Sequence, residues 1–353
     1  MIKQHWWKIL AVILLLYVFI VGLLSPLSPG ITSTLPSVAN TGKSVILDVE
    51  GYNTFFAEGE NSAWLKLDAA HELCSENITV IDNNNLKITF QLPNTLPTID
   101  KNAPATLIVN NTTEGYAIYP DAISIRVNED IDSTNTVEWG ICENKVLTES
   151  TTFDFPFRNV LVETIRNLYF HVPFWFGMLF IFLAAAINSI LYLSRSFDMK
   201  YDIRAKALVQ VGLLFGIIGI VTGGIWAQYT WGAFWSFDIK QNMSAIALLI
   251  YMAYFVLRSS FDDEQQQARL SAIYNIFAFV SLVPLLFIIP RMYDSLHPGN
   301  GGNPAFGSED LDNTMRMVFY PAVIGWTLLG FWIANLLARM GNIKMWWIEQ
   351  LDD

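Results

Sequence analysis

Charged residues are scarce in this 353-residue chain: they make up 15% of it, against 53% hydrophobic residues. A soluble globular domain carries about 25% charged residues, so this composition excludes an ordinary soluble enzyme and indicates a membrane protein. The sequence also lacks the motifs GxxxxGKS/T, GxGxxG, HExxH and GxSxG. Without them the chain has no recognisable nucleotide, zinc-protease or serine-hydrolase site, and any ATP that its work requires is hydrolysed by another subunit.

Cysteine and histidine are also rare. The two cysteines, Cys74 and Cys142, do not form a CxxC pair, which excludes a thioredoxin-like redox motif. In an oxidising compartment they can form a disulfide, and two unpaired thiols are the alternative. We interpret His71 as an ordinary surface or structural histidine. The four histidines of the chain are His5, His71, His171 and His297.

Six apolar stretches are long enough to cross a bilayer, whose hydrocarbon core requires about 20 residues of helix. The first could also be a signal peptide, because Lys3 and Lys8 precede its apolar core. We favour an uncleaved anchor, since this core is long and no small-x-small cleavage pattern follows closely. The predicted spans are 8–28, 172–194, 208–227, 243–258, 271–290 and 317–338.

The charges predict an orientation for these spans, because Lys and Arg collect in short cytoplasmic loops. Most Lys and Arg residues of the short loops lie on the same side of the membrane as the two termini. This predicts cytoplasmic N- and C-termini and places residues 31–168 outside. Residues 31–165 carry 19 Asp and Glu against 7 Lys and Arg, a net charge of −12, whereas the rest of the chain is at +1. An acidic outer region beside a near-neutral membrane body argues against nucleic acid as a partner.

The outer region is predicted to be all β. Its short, β-branched, partly alternating runs are separated by turn sequences such as "DNNN" at 82–85. Strands at this spacing favour an immunoglobulin-like β-sandwich. The predicted strands are 43–49, 63–67, 77–81, 86–92, 105–109 and 122–127.

Three separate segments meet the predicted outer face of the membrane. His171 opens the second span, His297 follows the fifth, and the aromatic loop 226–240 joins the third to the fourth. Imidazole is a common axial ligand of heme iron, aromatic rings pack against a porphyrin, and Lys240 or Arg291 could pair with a propionate. The pattern is therefore suited to heme. The alternative is an aromatic belt with helix-end histidines that bind nothing.

The loop sequence "GGIWAQYTWGAFWSFDIKQN" (223–242) resembles the tryptophan-rich signature of the cytochrome c maturation protein C family. "YFHVPFW" (169–175) and "VPLLFIIPRMYDSLHPG" (283–299) resemble two further stretches of that family, in the same order. Two departures stand out: Phe237 occupies the place of a third tryptophan, and residues 31–165 replace a short connection. The positions that match the signature are Trp226, Trp231, Gly232, Trp235, Asp238 and Lys240.

The apolar spans and the strand pattern together predict an α-helical integral membrane protein with six transmembrane helices and an inserted extracytoplasmic all-β domain, and this insert departs from the family. Residues 1–30 would form the first helix, 31–165 the β-domain, 166–341 a five-helix heme-handling domain and 342–353 a cytoplasmic tail. Heme b would be held transiently at the outer face, with His171 and His297 as axial ligands. The remaining binding residues would be Trp226, Trp231, Trp235, Phe237, Asp238 and Lys240, where Asp238 orients Lys240 or an indole N–H, or contacts a partner.

The resemblance further implies a place in the bacterial inner (cytoplasmic) membrane, in contact with the lipid bilayer. The partners would be a membrane-anchored heme chaperone and the ATP-binding cassette subunits of the cytochrome c maturation complex. The chain would deliver heme and not be an enzyme, with heme ligase activity, as in the fused synthases, left open. An electron-transfer cytochrome and a β-domain scaffold or receptor remain alternatives. For the β-domain itself we consider a docking surface and a mere spacer.

Overall fold

A computed structural model describes residues 2–128, 135–142, 153–297 and 311–352 of the chain. Contacts divide the chain into two compact units. We call Met1–Ser25 together with Thr164–Asp353 the helical unit, and Pro26–Glu163 the β-unit. Each unit is described by itself.

Among the described residues, the helical unit contains six helices that are long and apolar enough to cross a membrane. This confirms the six predicted spans. A 3₁₀ segment, Val162–Tyr169, precedes the second helix, and the fifth continues as a π-helical turn, Pro284–Ile288, and a 3₁₀ turn, Ile289–Met292. The helices are α1 (Ile2–Leu24), α2 (His171–Ser194), α3 (Met199–Trp231), α4 (Ile239–Ser259), α5 (Glu264–Val283) and α6 (Asn313–Asp352).

Two helices are much longer than their predicted spans. Helix α3 has 33 residues and α6 has 40. An apolar window ends where charged residues begin, whereas the hydrogen bonds inside a helix continue for as long as the backbone stays helical. The predicted tail at 342–353 is therefore helical up to Asp352, as the end of α6.

Aspartates begin three of these helices. The side chain of Asp198 accepts a hydrogen bond from the N–H of Lys200 at the start of α3, and Asp238 does the same for Lys240 at the start of α4. Asp263 caps α5 in this way. An N-cap carboxylate satisfies a backbone N–H that has no partner inside the helix, so these residues determine where each helix starts.

Glycines let α3 approach α2 closely. A Cβ atom added to Gly212 would lie 2.5 Å from Cε1 of Phe182, and one added to Gly219 would lie 2.9 Å from Cε2 of Trp175. Neither distance is possible between real atoms, so the rings occupy the space that the missing side chains leave. Small residues at helix contacts are typical of membrane bundles, in which van der Waals packing drives association.

A buried ion pair joins the first turn of α3 to the last turn of α4. Arg258 forms two hydrogen bonds to the carboxylate of Asp202, one of them 2.7 Å long from Nη1 to Oδ1. The same Nη1 donates to the hydroxyl of Tyr254 at 3.3 Å. The side chain of Asp202 is 2% exposed and that of Arg258 is 9% exposed. This pair therefore links the two helices at the ends opposite to the aromatic loop.

The β-unit contains two sheets. One has the order β1-β3-β7-β6 and the other the order β2-β9-β8-β4-β5, with β2 parallel to β9 and the remaining pairs antiparallel. The strands are β1 (Gly30–Leu35), β2 (Val38–Asn40), β3 (Ser44–Tyr52), β4 (Asn61–Lys66), β5 (Glu72–Cys74), β6 (Asn77–Val80), β7 (Asn85–Gln91), β8 (Asn102–Asn111) and β9 (Gly115–Arg126).

All six predicted strands are present, and their ends agree within three residues, except that β9 begins at Gly115, seven residues before the predicted start. Alternation made them visible: along β3, Val45, Leu47 and Val49 are buried while the residues between them are exposed. Residues of this kind from both sheets form one hydrophobic core. The strands β1, β2 and β5 were not predicted, because β2 and β5 have only three residues each and the burial of β1 does not alternate.

The structure pairs Cys74 with Cys142 in a disulfide. The bond joins the end of β5 to a segment 68 residues further along the chain. Cys142 packs against Trp64 and Ile108 in a small buried cluster. Of the two possibilities left open by the sequence, a disulfide and two unpaired thiols, the structure has the disulfide.

Candidate functional site

His171 is the first residue of α2, and its ring lies against α3. Nδ1 is 2.9 Å from the carbonyl oxygen of Gly219 and 3.3 Å from the hydroxyl of Thr222. The Thr222 hydroxyl is itself directed to the carbonyl of Ile218 at 2.8 Å. A carbonyl oxygen only accepts hydrogen bonds, so Nδ1 carries the proton and Nε2 carries the lone pair. An imidazole in this tautomer is able to ligate a metal through Nε2.

Gly223 provides the space for that ring. A Cβ atom at this position would lie 2.4 Å from Cε1 and 3.0 Å from Nδ1 of His171. The ring thus rests on the bare backbone of α3, one turn beyond the carbonyl of Gly219 that holds it. His171 and Trp175 are one turn apart on α2, as Gly223 and Gly219 are on α3, so two rings fill two adjacent glycine sites.

A single methyl group at Gly223 is therefore expected to displace the His171 ring. In Gly223→Ala the ring must move, which breaks its bond to Gly219, and overpacking of this kind costs about 1–3 kcal/mol. We expect any ligand held by His171 to be retained about tenfold less well, measured by the absorption spectrum of the purified chain. Gly140→Ala is the matched control, since a Cβ there meets no atom within 4 Å. Equal ligand retention by both variants would contradict this account.

His297 is held by the carboxylate of Asp238. Its Nδ1 lies 2.9 Å from Oδ1 of Asp238, and a carboxylate accepts, so here also Nδ1 carries the proton and Nε2 the lone pair. The other bonds of Asp238 hold the same segment: it accepts from the hydroxyl of Ser295 at 3.0 Å and from the N–H of Leu296 at 2.8 Å. Asp238 thus caps α4 and at the same time captures three consecutive residues that follow α5.

The charges of this pair suit a metal ligand. Burial alone would raise the pKa of Asp238, but hydrogen bonds from Leu296 and Ser295 and the nearby His297 bring it below its usual value. Burial lowers the pKa of His297, and the charge of Asp238 opposes this only in part. At neutral pH the pair is thus an ionised carboxylate beside a neutral imidazole. A carboxylate that fixes the tautomer and orientation of a histidine is the usual outer partner of a metal-ligating imidazole.

Two tryptophans near the end of α3 pack beside His297. The ring centroid of Trp231 lies 4.7 Å from that of His297, at an interplanar angle of 77°. Trp226 lies 5.1 Å from Trp231, also at 77°. His171 contacts the same helix at Gly219 and Gly223, the turn before Trp226. Both imidazoles therefore contact the C-terminal end of α3, with Trp226 between their contact points along the helix.

Polar side chains of α4 hold the loop that precedes this helix. Gln241 accepts from the N–H of Ser236 at 2.9 Å, and Asn242 donates to the carbonyl of Phe237 at 2.8 Å. The latter bond stabilises a left-handed backbone at Phe237, with a φ of 58°. On the other side of the loop, the ring of Phe234 fills the space above Gly224. The loop is thus anchored at both ends.

The structure corrects the extent of the aromatic loop. Trp226 and Trp231 belong to α3, which ends at Gly232, and Lys240 belongs to α4. Phe237 is 78% exposed, whereas Trp235 and Lys240 are half-buried. The reason is that Gly232 adopts a left-handed conformation, with a φ of 80°, which terminates α3 after Trp231. Only residues 232–238 are loop.

The pairing of Asp238 with His297 was missed by sequence reasoning, which assigned Asp238 to Lys240, to an indole or to a partner. The two residues are 59 positions apart, and no local pattern links them. Gly223 was quoted in the signature without a role. A signal for this role was present in the sequence. Gly212, Gly219 and Gly223 recur at helical spacing along α3, and the aromatic residues and His171 recur at helical spacing along α2, so the two sets can face each other.

No group of three or more His, Cys, Asp and Glu side chains that could hold a metal ion occurs among the described residues. Among the described residues, a metal bound by His171 or His297 would therefore need further ligands besides these side chains. A porphyrin supplies four nitrogens in one plane and leaves the two axial positions for imidazoles. The donor set of this site fits that group.

Comparison with known proteins gives consistent matches. A profile of the family "Heme exporter protein C" (CcmC) matches residues 152–346. Heme exporter protein C of Escherichia coli strain K12 is 25% identical over 184 residues, which are 51% of this chain and 71% of that protein. The protein of the same name from Paracoccus denitrificans is 27% identical over 176 residues, 50% of this chain and 71% of that protein. A putative cytochrome c biosynthesis ccmC-like mitochondrial protein of Marchantia polymorpha is 28% identical over 135 residues.

Proposed function

Since this chain belongs to the heme exporter protein C family of cytochrome c maturation proteins, we propose that it is a heme-handling membrane component of cytochrome c biogenesis. It holds heme b transiently at the outer face of the inner membrane and delivers it to a membrane-anchored heme chaperone. His171 and His297 are the axial ligands. The observation that carries this proposal is the linked arrangement of Asp238, His297 and Trp231. Asp238 holds a neutral imidazole, that of His297, against the indole of Trp231 at the end of α3.

Each part of the site has a task in binding the cargo. The two Nε2 lone pairs ligate the iron, while Trp226 and Trp231 offer ring surface to the macrocycle. Lys240, at the start of α4, supplies a cation for a propionate. Trp235 and Phe237 lie on the loop between these helices, and Phe237 is exposed enough to contact heme or the chaperone.

The location of the histidines favours delivery over electron transfer. Neither His171 nor His297 lies in the middle of a span: one begins α2 and the other follows the 3₁₀ turn after α5. A heme held at the edge of the bundle is reached by a partner without opening the helices, whereas an electron-transfer cytochrome buries its heme inside. In this proposal the chain is a transport component, and heme ligase activity is the alternative. It works beside ATP-binding cassette subunits that hydrolyse ATP.

The β-unit is proposed to be an extracytoplasmic immunoglobulin-like domain. The order β1-β3-β7-β6 corresponds to the A-B-E-D sheet of that fold, and β9-β8-β4 corresponds to G-F-C. Trp64 lies on β4, but it packs against Ile108 and Cys142 on the face opposite to the core that contains its neighbours Ala63 and Leu65, so it does not occupy the place of the inter-sheet tryptophan of strand C. The disulfide departs from the B–F bond of antibody domains, because it starts from β5. The predicted orientation places this domain outside, where a docking role for the chaperone or apocytochrome is possible beside a spacer role.

Transfer of heme between purified components tests the delivery function. The chain, loaded with heme in detergent, is mixed with the soluble domain of the heme chaperone, and the two are separated and their spectra recorded. Heme in the chaperone fraction is the expected result. Heme that stays with the chain, under conditions in which it is reduced and oxidised reversibly, would support the electron-transfer alternative instead. Transfer that persists after deletion of residues 31–165 would overturn the docking role.

Asp238→Ala is expected to weaken heme retention about 10–100-fold, as loss of a supporting carboxylate does at metal sites. Asp238→Asn should have a smaller effect, because asparagine also caps a helix but accepts less strongly from His297. The measurement is the heme absorbance per protein after purification. Asp263→Ala removes the corresponding cap from α5 without touching a histidine. If Asp238→Ala retains and transfers heme as well as Asp263→Ala does, the role given to Asp238 is wrong.

A further inference from the structure

The β-unit contains a cavity that the heme site does not use. Its volume is about 330 Å³, within the range of about 300–1,000 Å³ that small-molecule sites occupy. Three loops converge on it, and its walls are polar on most sides. The residues that line it are His71, Asn94, Thr95, Pro97, Asn135, Thr136, Val137, Glu138 and Trp139.

The walls of this cavity are held in place by bonds among themselves. The indole N–H of Trp139 donates to the carbonyl of Thr95 at 2.9 Å, which fixes the plane of its ring. Asn94 donates to the carbonyl of Asn135 at 3.0 Å. Asn135 in turn donates to the carbonyl of Leu92 at 2.8 Å. A cavity shaped in advance binds a ligand with less loss of conformational entropy.

The disulfide holds the segment that carries Trp139. Gly140, the next residue, exchanges two backbone hydrogen bonds with Glu72, of 2.6 and 3.1 Å. The bond from Cys142 to Cys74 closes the same pair of segments two residues further on. The Glu138–Trp139 wall is therefore a fixed extension of the sheet next to β5.

The charge of the cavity selects a cation. In the part of the chain that the structure describes, its lining includes the exposed carboxylate of Glu138 but neither Lys nor Arg. His71, on the opposite wall, is bonded through Nδ1 to Asp68 at 2.8 Å. The hydrogen bond from His71, together with those from the N–H groups of Ala70 and His71, lowers the pKa of Asp68. The whole region 31–165 has a net charge of −12. Such a field attracts basic ligands over a long range and repels phosphates and carboxylates.

We propose that this cavity receives a Lys or Arg side chain from a basic peptide segment of a protein partner. The cation lies on the face of Trp139 and pairs with Glu138, while the threonine hydroxyls and His71 accept its remaining hydrogen bonds. This inference deepens the docking role proposed for the β-unit and does not depend on heme. It also gives the net negative charge of the β-unit a role, which is to attract the cation that binds in this cavity.

Peptide binding to the full-length chain in detergent tests this inference. The probe is an amidated Gly-Lys-Gly-Lys-Gly peptide carrying a fluorophore, and its matched control has both lysines acetylated at Nε. We expect the charged peptide to bind at least tenfold more tightly at low salt, and its affinity to fall as salt is raised. Equal binding of both peptides, or binding of neutral chito-oligosaccharides but not of the charged peptide, would overturn the proposal.

Two variants locate the site. Glu138→Gln and Trp139→Leu are each expected to weaken binding of the lysine peptide about two- to fivefold, as for exposed ion pairs and cation–π contacts. Glu76→Gln removes one charge from the same unit at an exposed position outside the cavity and should leave the affinity unchanged. Equal effects of Glu76→Gln and Glu138→Gln would mean that the peptide responds only to the overall negative charge of the unit, and this would refute the site. The heme spectrum of each sample, recorded in parallel, shows whether the helical unit is intact, so failure here is distinguishable from failure of heme binding.

Discussion

His297→Ala and His171→Ala are each expected to purify almost free of heme. Both imidazoles are held with Nδ1 bonded, to Asp238 and to Gly219, so that Nε2 is the atom left for iron. Loss of a partner that only supports a ligand costs about 10–100-fold in metal affinity, and loss of the ligand itself should exceed this range. The measurement is the visible spectrum of the chain from heme-supplied cells, oxidised and reduced. The wild type should show a Soret band and the bands of bis-histidine heme.

His5→Ala is the matched control, because His5 is an exposed histidine of α1, far in the sequence from the two proposed ligands. It should bind heme like the wild type. A normal spectrum of either His171→Ala or His297→Ala would contradict the assignment of that ligand. A wild type without heme, under conditions in which a control heme protein loads, would leave the aromatic residues as an interface belt and move the search for function to the β-unit.

Arg258→Ala is expected to lower the free energy of unfolding by about 3–5 kcal/mol, the range observed when one partner of a buried pair is removed. The carboxylate of Asp202 is 2% exposed and receives two hydrogen bonds from Arg258, so it would be left charged and buried. Asp202→Ala should have a comparable effect for the same reason. The measurement is unfolding of the chain in a mild detergent, followed by circular dichroism.

The double variant Asp202→Ala/Arg258→Ala should recover part of this loss, since it leaves no unpaired charge. Lys200→Ala breaks the pair of Lys200 with Asp198, whose side chains are 50% and 39% exposed, and should cost at most about 1 kcal/mol. If Arg258→Ala unfolds like Lys200→Ala, the buried pair does not hold α3 to α4. The heme spectrum of the double variant separates this effect from the site, which lies at the other ends of the helices.

The sequence by itself determined the six spans and six of the nine described strands of the β-unit. Both follow from local periodicity: about 20 apolar residues must cross a bilayer as a helix, and alternate burial along a segment such as β3 marks a strand with one covered face. The assignment of His171, His297 and the tryptophans to heme stays a prediction, which is based on the small number of histidines and on the position of these residues at the ends of spans. None of these conclusions required knowledge of which segments touch.

Tertiary structure decided the contacts between distant segments. Asp238 meets His297 across 59 residues, and Cys74 meets Cys142 across 68. The space for His171 exists only because Gly223 lies opposite it on another helix. Such pairings depend on the register between elements, which is set by packing over the whole unit and leaves no mark on the local pattern of either segment. The end of α3 is different, because it is set locally by the left-handed Gly232 that follows Trp231, and the structure accordingly places Trp226 and Trp231 in the helix and not in the predicted loop.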